Sequence, residues 1–260
     1  MVDFGVMVVV RIWVWCGTLA SVYLPSLAVH RIYRERSVGT TPIDPILSTL
    51  ANSHVWSLYG FLDRAWFPNF PAFVIGDIAS LCYLFVYWRY AEDRRRVGSI
   101  IAVVLALLGV PTLFVILGLS GYTGQTREDV WRTHGLCFCD VTVISINVLV
   151  LNNLIRACKQ RSAASINVLN LCVGTFYSFG WLTFGQLTSN WIIAGPQVFV
   201  LALHFSAWTM HIVFTRETSS ATASITTDDD PVVLSIEFSP RPSKSFPVYE
   251  ALQSPLAPLR

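Results

Sequence analysis

Long stretches without a charged side chain divide most of the chain. Four of them contain no Asp, Glu, Lys or Arg (12–30, 45–62, 97–126 and 162–215), and two contain one acid each (65–88 with Asp77, 133–155 with Asp140). About 20 mostly apolar residues form a helix that crosses a bilayer, and 162–215 can hold two such helices. Runs such as 100–108 do not alternate apolar and polar residues as barrel strands do. The pattern therefore predicts seven transmembrane helices in an all-α membrane protein.

Composition narrows the class of protein further. Charged residues make up 13% of the chain and hydrophobic residues 53%, with a mean hydropathy of +0.55. Soluble domains carry roughly 25% charged residues. This composition excludes a soluble enzyme, a disordered chain and a nucleic-acid-binding protein. The net charge of +2 gives no indication of a polyanionic partner.

Basic residues favour one of the two predicted sides of the membrane. On that side lie most of the 18 Lys and Arg: Arg31, Arg34, Arg36, Arg89, Arg94, Arg95, Arg96, Arg156, Lys159, Arg161, Arg216, Arg241, Lys244 and Arg260. The other side has only Arg11, Arg64, Arg127 and Arg132. Because cytoplasmic loops are enriched in Lys and Arg, we expect the N-terminus outside and the C-terminus in the cytoplasm.

The chain also repeats itself at an offset of 125 positions. The matched pairs include basic residues, two tryptophan pairs and a glycine pair: Arg31/Arg156, Arg34/Lys159, Arg36/Arg161, Ser37/Ser162, Ser53/Ser178, Trp56/Trp181, Tyr59/Phe184, Gly60/Gly185, Leu62/Leu187, Trp66/Trp191 and Pro71/Pro196. General similarity among membrane helices explains matched Leu and Val, but it does not explain these pairs. Helices 1–3 are therefore predicted to recur as helices 5–7.

This repeat predicts the domain organisation. Residues 1–96 form the first three-helix repeat, 97–126 form a linker helix, 127–216 form the second repeat, and 217–260 form a disordered cytoplasmic tail rich in Ser, Thr, Pro and acids. Because the linker crosses the membrane once, the two three-helix bundles are parallel. Parallel repeats place a substrate site at their interface near the middle of the membrane.

The repeated segments resemble the SWEET family of sugar transporters. The first repeat contains HRIYRERSVGTTPIDPILSTLANSHVWSLYGFL, and the second contains RACKQRSAASINVLNLCVGTFYSFGWLTFG followed by GPQVF. A basic cluster, a Ser, a Pro and the W-x-x-Y-G motif of the first repeat carry the likeness, which covers about residues 5–215. The resemblance implies a 3+1+3 helix order, a sugar substrate and transport by alternating access.

The resemblance also implies a sugar site. Trp56 and Trp181 match the tryptophans that face each other across the family's pocket. One helical turn before them lie Asn52 and Tyr177, then Ser53 and Ser178, on the same helix faces. Aromatic rings with uncharged polar groups suit a sugar without the cost of a buried charge. The alternative is that these residues only pack helix against helix.

A departure from the family pattern concerns the third helix of each repeat, where the family carries an asparagine. Gln197 keeps an amide at the second-repeat position, whereas the first repeat has Ala72 or Phe73 there. Asp77, one turn beyond Phe73, is a candidate for the missing acceptor. An acid inside the membrane indicates a functional site, and three roles stay open: binding substrate, coupling a proton, or bonding to a neighbouring helix.

Prolines predict where the helices bend. Pro25 and Pro45 match two of the four prolines that the family uses as hinges, and the second repeat has no proline at the corresponding places. Because proline removes a backbone hydrogen bond and kinks a helix, we expect asymmetric gating. Pro71 and Pro196 are predicted near helix starts, where proline is tolerated.

These features favour a uniporter that moves a mono- or disaccharide in both directions. No nucleotide-binding loop, metal cluster or nucleophile triad is recognisable, so we expect no cofactor and no enzyme activity. A proton-coupled PQ-loop carrier of amino acids is one alternative, and a non-transporting receptor or scaffold of the same fold is another. By resemblance we expect the plasma membrane and homo-oligomers, with sugar and lipid as partners and no nucleic acid.

Overall fold

The predicted transmembrane segments are helical in a computed structural model, which describes residues 3–160 and 167–225. The helices are α1 (Phe4–Glu35), α2 (Asp44–Leu62), α3 (Asn69–Tyr90), α4 (Arg94–Leu119), α5 (Arg127–His134), a π-helix (Gly135–Asp140), α6 (Val141–Gln160), α7 (Val168–Leu187) and α8 (Trp191–Ile225). The α5, π-helix and α6 segments follow one another without a break and correspond to predicted helix 5. The all-α class is therefore confirmed.

Six segments of the described chain are long and apolar enough to cross a membrane. They are Phe4–Glu35, Asn69–Tyr90, Arg94–Leu119, Arg127–Asn152, Val168–Leu187 and Trp191–Thr215. Helix α2 is 19 residues long but is not among them. Polar residues such as Asn52, Ser53 and His54 make α2 less hydrophobic than the six other segments. These side chains line spaces between helices that are described below.

Residues Met1–Ser220 form one compact unit, within which all the contacts below lie. We call the side on which α1 begins the N-terminal side and the side on which it ends the C-terminal side. On the N-terminal side, Arg127 Nε donates to the carbonyl oxygen of Leu62 at 3.0 Å. On the C-terminal side, the Tyr87 hydroxyl donates to the carbonyl oxygen of Thr41 at 2.8 Å.

The turns that end α2 and α7 share one local geometry. Arg64 and Ser189, 125 positions apart, have φ angles of 54° and 53°. The amide of Ala65 donates to the Gly60 carbonyl at 3.0 Å, and the equivalent amide of Asn190 donates to the Gly185 carbonyl at 2.8 Å. The sequence repeat thus corresponds to a repeat in backbone structure at these turns.

Close contacts join the two halves of the bundle. A Cβ on Gly17 of α1 would lie 3.5 Å from the Tyr177 Cα of α7, so these helices pack with little space between them. On the other side of the interface, the Val55 carbonyl of α2 lies 2.9 Å from His134 Nε2 and accepts from Cys139 Sγ at 3.4 Å. These contacts hold α2 against the end of α5, at His134, and against the π-helix, at Cys139.

Prolines occupy different places in their helices. Pro25 lies inside α1, and Pro45 lies in the first turn of α2, where its missing N–H removes no intrahelical bond. Pro71 is the third residue of α3, as predicted. The prediction for Pro196 is wrong, since it lies inside α8, which begins five residues earlier at Trp191.

Part of the sequence-based prediction lies outside the described residues. This applies to the basic position Arg161, to Ser162, and to the tail from residue 226 onward. Within the described part, α8 continues to Ile225, beyond the predicted boundary at 216. The sequence from Glu217 to Ile225 contains no Pro or Gly that would end a helix there.

The repeated glycine of α7 makes a testable contact. A Cβ on Gly185 would lie 2.8 Å from the backbone nitrogen of Ala194, whereas a Cβ on Gly195 would meet nothing within 4 Å. Gly185→Ala is expected to lower the free energy of unfolding by about 1–3 kcal/mol, because backbone must shift to admit the methyl group. Thermal unfolding in detergent measures this loss. Gly195→Ala is the control, and an equal loss in both variants would contradict the close approach.

Candidate functional site

A cavity lies between the two halves of the bundle and is bordered by α1, α2, α3, α6, α7 and α8. Its volume is about 210 Å³. The lining residues are Thr18, Ser21, Val22, Ser48, Thr49, Asn52, Ser53, Phe73, Val143, Ile146, Asn147, Gly174, Tyr177, Ser178, Gln197, Val200 and His204. Among its described lining residues there is no carboxylate, Lys or Arg, and His204 is the one histidine, so the cavity offers hydroxyl and amide groups on an apolar surface.

The repeat relates the two halves of this lining. Six pairs of lining residues are 125 positions apart: Thr18/Val143, Ser21/Ile146, Val22/Asn147, Thr49/Gly174, Asn52/Tyr177 and Ser53/Ser178. The cavity therefore lies where the two repeats meet. Several pairs match a polar residue with an apolar one, so its two walls differ chemically.

Five of the eight predicted binding residues line this cavity: Asn52, Ser53, Tyr177, Ser178 and Gln197. The i−4 and i−3 spacing from each tryptophan thus brings the expected side chains of α2 and α7 together. Ser53 and Ser178 are both buried, at 1% exposure. Gln197 extends from α8 and is also buried.

Trp56 and Trp181 lie beyond the cavity rather than in its wall. They are 3% and 2% exposed, and the ring of Phe73 is stacked between them. Its centroid lies 6.1 Å from Trp56 and 5.6 Å from Trp181, with interplanar angles of 25° and 24°. We call these three rings the aromatic stack. It separates the cavity from the N-terminal side of the bundle.

Further contacts on the N-terminal side support the aromatic stack. Tyr59 packs edge-on against Trp56 with centroids 5.2 Å apart, and its hydroxyl accepts a hydrogen bond from Asn190 Nδ2 at 2.8 Å. The indole nitrogen of Trp181 donates to Thr18 Oγ1 at 3.3 Å. These bonds connect α2 to the α7–α8 turn and α7 to α1, so the closure involves both halves.

Three buried polar atoms of the lining residues have no hydrogen-bond partner among the described residues. They are Ser178 Oγ, Gln197 Oε1 and His204 Nδ1. An unpaired buried polar group costs about 1–3 kcal/mol, and natural proteins retain few of them. In the cavity wall such atoms can be satisfied by water or by a polar ligand.

Asp77 lies outside the cavity. Its Oδ2 is 3.4 Å from His54 Nδ1, in a groove that α2 and α3 form with α4. Although Asp77 lies one turn beyond Phe73 and so on the same side of α3, Phe73 lines the cavity while the Asp77 carboxyl group lies in the groove. The missing first-repeat amide is therefore replaced in space by Phe73, which belongs to the aromatic stack.

Sequence reasoning missed several polar lining residues: Thr18, Ser21, Ser48, Thr49, Asn147 and His204. The 125-residue offset contained the signal for some of them, because it relates Thr18, Ser21 and Thr49 to other lining positions. Among the residues that the structure describes, no group of three His, Cys, Asp or Glu side chains is placed to hold a metal ion.

Known proteins share both the sequence pattern and the fold. A family model described as "Sugar efflux transporter for intercellular exchange" matches residues 9–95. "Sugar transporter SWEET1" of Xenopus laevis is 29% identical over 165 residues, which cover 63% of this chain and 72% of that protein. "Bidirectional sugar transporter SWEET7b" of Oryza sativa subsp. japonica is 22% identical over 66% of this chain and 64% of that protein.

One solved structure confirms the helix arrangement. A eukaryotic SWEET transporter superposes with a TM-score of 0.66 and 15% sequence identity, over 80% of this chain and 99% of that one. At this identity the likeness establishes the fold. Together with the sequence matches, it confirms the resemblance to the SWEET family.

The unpaired amide oxygen of Gln197 predicts how a substitution at this position changes the free energy of unfolding. Gln197→Leu is expected to leave the free energy of unfolding unchanged or to raise it, because the variant removes a buried polar atom that has no partner. Asn190→Leu is the contrasting variant, because Asn190 bonds to the Tyr59 hydroxyl and accepts from the Ile193 amide. It is expected to lose about 1–3 kcal/mol. Thermal unfolding compares the two, and a larger loss in Gln197→Leu would show that its amide is already satisfied.

Proposed function

We propose that this chain is a sugar transporter that carries out facilitated, bidirectional uniport by alternating access. The observation that carries the proposal is the cavity on the repeat interface, which has paired uncharged polar residues in its wall and the aromatic stack at one end. The sugar transporters among its relatives support the same substrate class.

The chemistry of the cavity suits a neutral polyhydroxy ligand. Ser53, Ser178, Asn52 and Gln197 offer hydroxyl and amide groups that can both donate to and accept from sugar hydroxyls. Tyr177 supplies ring surface for the C–H face of a sugar ring, whereas both faces of the Phe73 ring are covered by Trp56 and Trp181. A few oriented polar groups on an apolar wall are typical of small-molecule sites.

The size of the cavity favours a single sugar ring. Its volume of about 210 Å³ is below the roughly 300–1,000 Å³ typical of sites for drug-sized ligands. Phe73 occupies the space between Trp56 and Trp181 into which a longer ligand would extend. A monosaccharide is therefore the proposed substrate in preference to a disaccharide.

The arrangement of the helices supports one access state of a transport cycle. On the N-terminal side the aromatic stack and the Tyr59–Asn190 bond close the path, while the lining continues to Ser48 and Thr49 in the first two turns of α2. Rocking of one three-helix repeat against the other would part Trp56 from Trp181 and open the opposite side. Pro25, inside α1, and Pro45, where the preceding loop meets α2, are the proposed hinges.

The distribution of Lys and Arg indicates which side of the membrane the cavity faces in this state. We propose that the N-terminus lies outside and the C-terminus in the cytoplasm, because the basic residues concentrate on the C-terminal side. The cavity then faces the cytoplasm. A plasma-membrane location and a homo-oligomeric state are part of the same proposal, and both rest on the family resemblance.

Counterflow of labelled glucose and labelled sucrose into proteoliposomes tests the proposed function. The expected result is exchange of glucose without a pH gradient, with little exchange of sucrose. Amino-acid uptake that requires a pH gradient would instead indicate the PQ-loop carrier. Absence of both activities in well-folded protein would indicate a receptor or scaffold and would overturn the proposal.

Both tryptophans of the aromatic stack are expected to matter for transport. Trp56→Ala and Trp181→Ala should each reduce glucose exchange by about tenfold or more, a change of at least about 1.4 kcal/mol. The reason is that each variant removes one of the rings that close the N-terminal side. The exchange rate per reconstituted protein molecule measures the effect. Trp66→Ala is the control, since its ring is 58% exposed on the N-terminal side. Unchanged exchange in both stack variants would contradict the site assignment.

Phe73 is expected to limit the size of the sugar that the cavity can accept. Phe73→Ala should extend the cavity into the aromatic stack and allow exchange of sucrose, at a cost to stability of about 3–5 kcal/mol. Counterflow with the two sugars gives the ratio of sucrose to glucose exchange. Phe85→Ala is the matched control because its ring lies on the same helix and is 63% exposed. An unchanged ratio in folded Phe73→Ala protein would refute this role.

A further inference from the structure

A cleft on the outer face of the bundle separates α3 from α4 near the C-terminal side. Its volume is about 290 Å³, and it is lined by Leu81, Leu84, Phe85, Trp88, Gly98 and Ile101. We call it the α3–α4 cleft. Among the described residues it shares no lining side chain with the cavity between the repeats, so the proposed sugar site does not account for it.

The α3–α4 cleft opens toward the hydrocarbon of the membrane. Three of its side chains are well exposed: Phe85 is 63%, Leu81 is 46% and Trp88 is 36% accessible. Both α3 and α4 are long and apolar enough to cross a membrane. Within the hydrocarbon region the molecules that can reach such a surface are lipids and other transmembrane helices. The cleft is therefore a site for a membrane component.

Two local features keep the cleft open. The indole nitrogen of Trp88 donates to the carbonyl oxygen of Arg94 at 3.2 Å, which holds the end of α3 against the start of α4. One turn further along α4, Gly98 has no side chain, and a Cβ there would lie 3.4 Å from Trp88 Nε1. The helices are thus joined at the C-terminal side, and a missing side chain leaves space directly below the joint.

Arginines lie where the cleft meets the C-terminal side of the membrane. Arg89 follows Phe85 by four positions on α3. Arg94 and Arg95 precede Gly98 by four and three positions on α4. Because residues three or four apart share a helix face, these arginines continue the two faces that line the cleft. The cleft therefore has an apolar length and a cationic end.

The charge at this end is not paired within the protein. Arg89, Arg94, Arg95 and Arg96 are exposed, and none of their side chains forms an ion pair or a hydrogen bond with another described residue. Arg89 lies 5.6 Å from the ring centroid of Tyr90, a contact that leaves its charge unpaired. The two acids of the stretch 89–96 are Glu92 and Asp93, and Asp93 Oδ1 accepts from the backbone amide of Arg96 at 2.9 Å. Four arginines against two acids leave a net charge of +2.

We propose that the α3–α4 cleft binds one anionic phospholipid from the leaflet on the C-terminal side. Its phosphate and acidic headgroup lie against Arg89, Arg94 and Arg95, and one acyl chain lies in the cleft beside Phe85 and Ile101. Guanidinium groups donate paired hydrogen bonds to phosphate oxygens. No residue of the sugar cavity takes part, so this binding is independent of the proposed function.

The length of the apolar surface fits one leaflet. Half of a hydrocarbon core of about 30 Å is about 15 Å, which corresponds to about ten residues of a helix that rises 1.5 Å per residue. Counted from Gly98, this distance ends at Leu108. Leu108 lines the groove at Asp77, and that groove shares Leu81 with the cleft. A single acyl chain therefore finds a continuous apolar path along α4.

The charge of the occupant agrees with the proposed orientation of the chain. Anionic lipids concentrate in the cytoplasmic leaflet, and each Lys or Arg near the surface strengthens their binding. The second repeat has no equivalent of this site, since the positions 125 residues after Arg89 and Arg94 are Phe214 and Ser219. Helix α4 itself belongs to neither repeat. The structure thus predicts one lipid for each chain.

Native mass spectrometry of the full chain in detergent tests the headgroup contacts. Wild type is expected to bind one dioleoyl phosphatidylserine at least about tenfold more tightly than dioleoyl phosphatidylcholine. Arg94→Gln combined with Arg95→Gln should abolish this preference. Equal affinity of wild type for the two lipids would overturn the proposal.

A matched double variant separates the cleft from the general positive charge of this side. Arg34→Gln combined with Lys159→Gln removes the same charge from exposed positions at the ends of α1 and α6. This control is expected to keep the preference for phosphatidylserine within about twofold. An equal loss in both double variants would show that charge alone selects the lipid, and it would refute the site.

A variant that fills the cleft tests the place of the acyl chain. Gly98→Leu keeps every arginine and should weaken phosphatidylserine binding by about tenfold, because its side chain occupies the space beside Trp88. Thermal unfolding without lipid should be unchanged or higher, since leucine favours a helix more than glycine does. Ala106→Leu is the control, because Ala106 is exposed on the same helix and lines neither the cleft nor the adjoining groove.

Three outcomes of this second test would contradict the proposal. One is unchanged phosphatidylserine affinity in folded Gly98→Leu protein. Another is binding of glycerophosphoserine, the headgroup without acyl chains, as tightly as the whole lipid. The third is a dimer in wild type that Gly98→Leu dissociates, which would assign the cleft to a second copy of the chain.

Discussion

The stacking of Phe73 between Trp56 and Trp181 is the contact on which the arrangement of the two repeats depends. One tryptophan belongs to each repeat, so the rings have to meet at the interface, and a third ring fills the space between them. Aromatic pairs contribute about 0.5–1.5 kcal/mol beyond their area burial. The stack therefore joins the halves and separates the polar lining of the cavity from the N-terminal side.

The two repeats are alike in their backbone turns and differ in the side chains that meet at their interface. The backbone stays symmetric at the turns after α2 and α7, because Gly60 and Gly185 must each admit a backbone at about 2.8–2.9 Å from where a Cβ would lie. The side chains at the interface are free to differ, since each faces a different partner. Gln197 keeps an amide at the cavity, while Phe73 provides a ring. Symmetry is thus retained where backbone packing requires it and lost in the lining of the cavity.

The sequence predicts the helices and much of the cavity, but it does not predict which side of a helix each residue faces. Charge-free stretches locate the helices because hydrocarbon penalises every charge, and the i−4 and i−3 positions relative to each tryptophan line the cavity. The place of Asp77 is different, because it lies one turn beyond Phe73, which lines the cavity, and yet its carboxyl group lies in the groove at α4. Such a choice depends on how helices rotate against each other, and that rotation follows from contacts such as Ser53 with Gly76.

The polar groups within the membrane fall into two classes that follow from how they are satisfied. Ser178 and Gln197 have polar atoms without a partner among the described residues and lie in the wall of the cavity between the repeats. His54 bonds to Thr112 and to Asp77 in the groove at α4, on the other side of the contact between α2 and α3. Helix α2 therefore carries polar side chains on two faces, one toward the cavity and one toward α4. Because Ser53 packs against Gly76 of α3 between these two faces, a movement of α2 against α3 would displace both sets of polar groups.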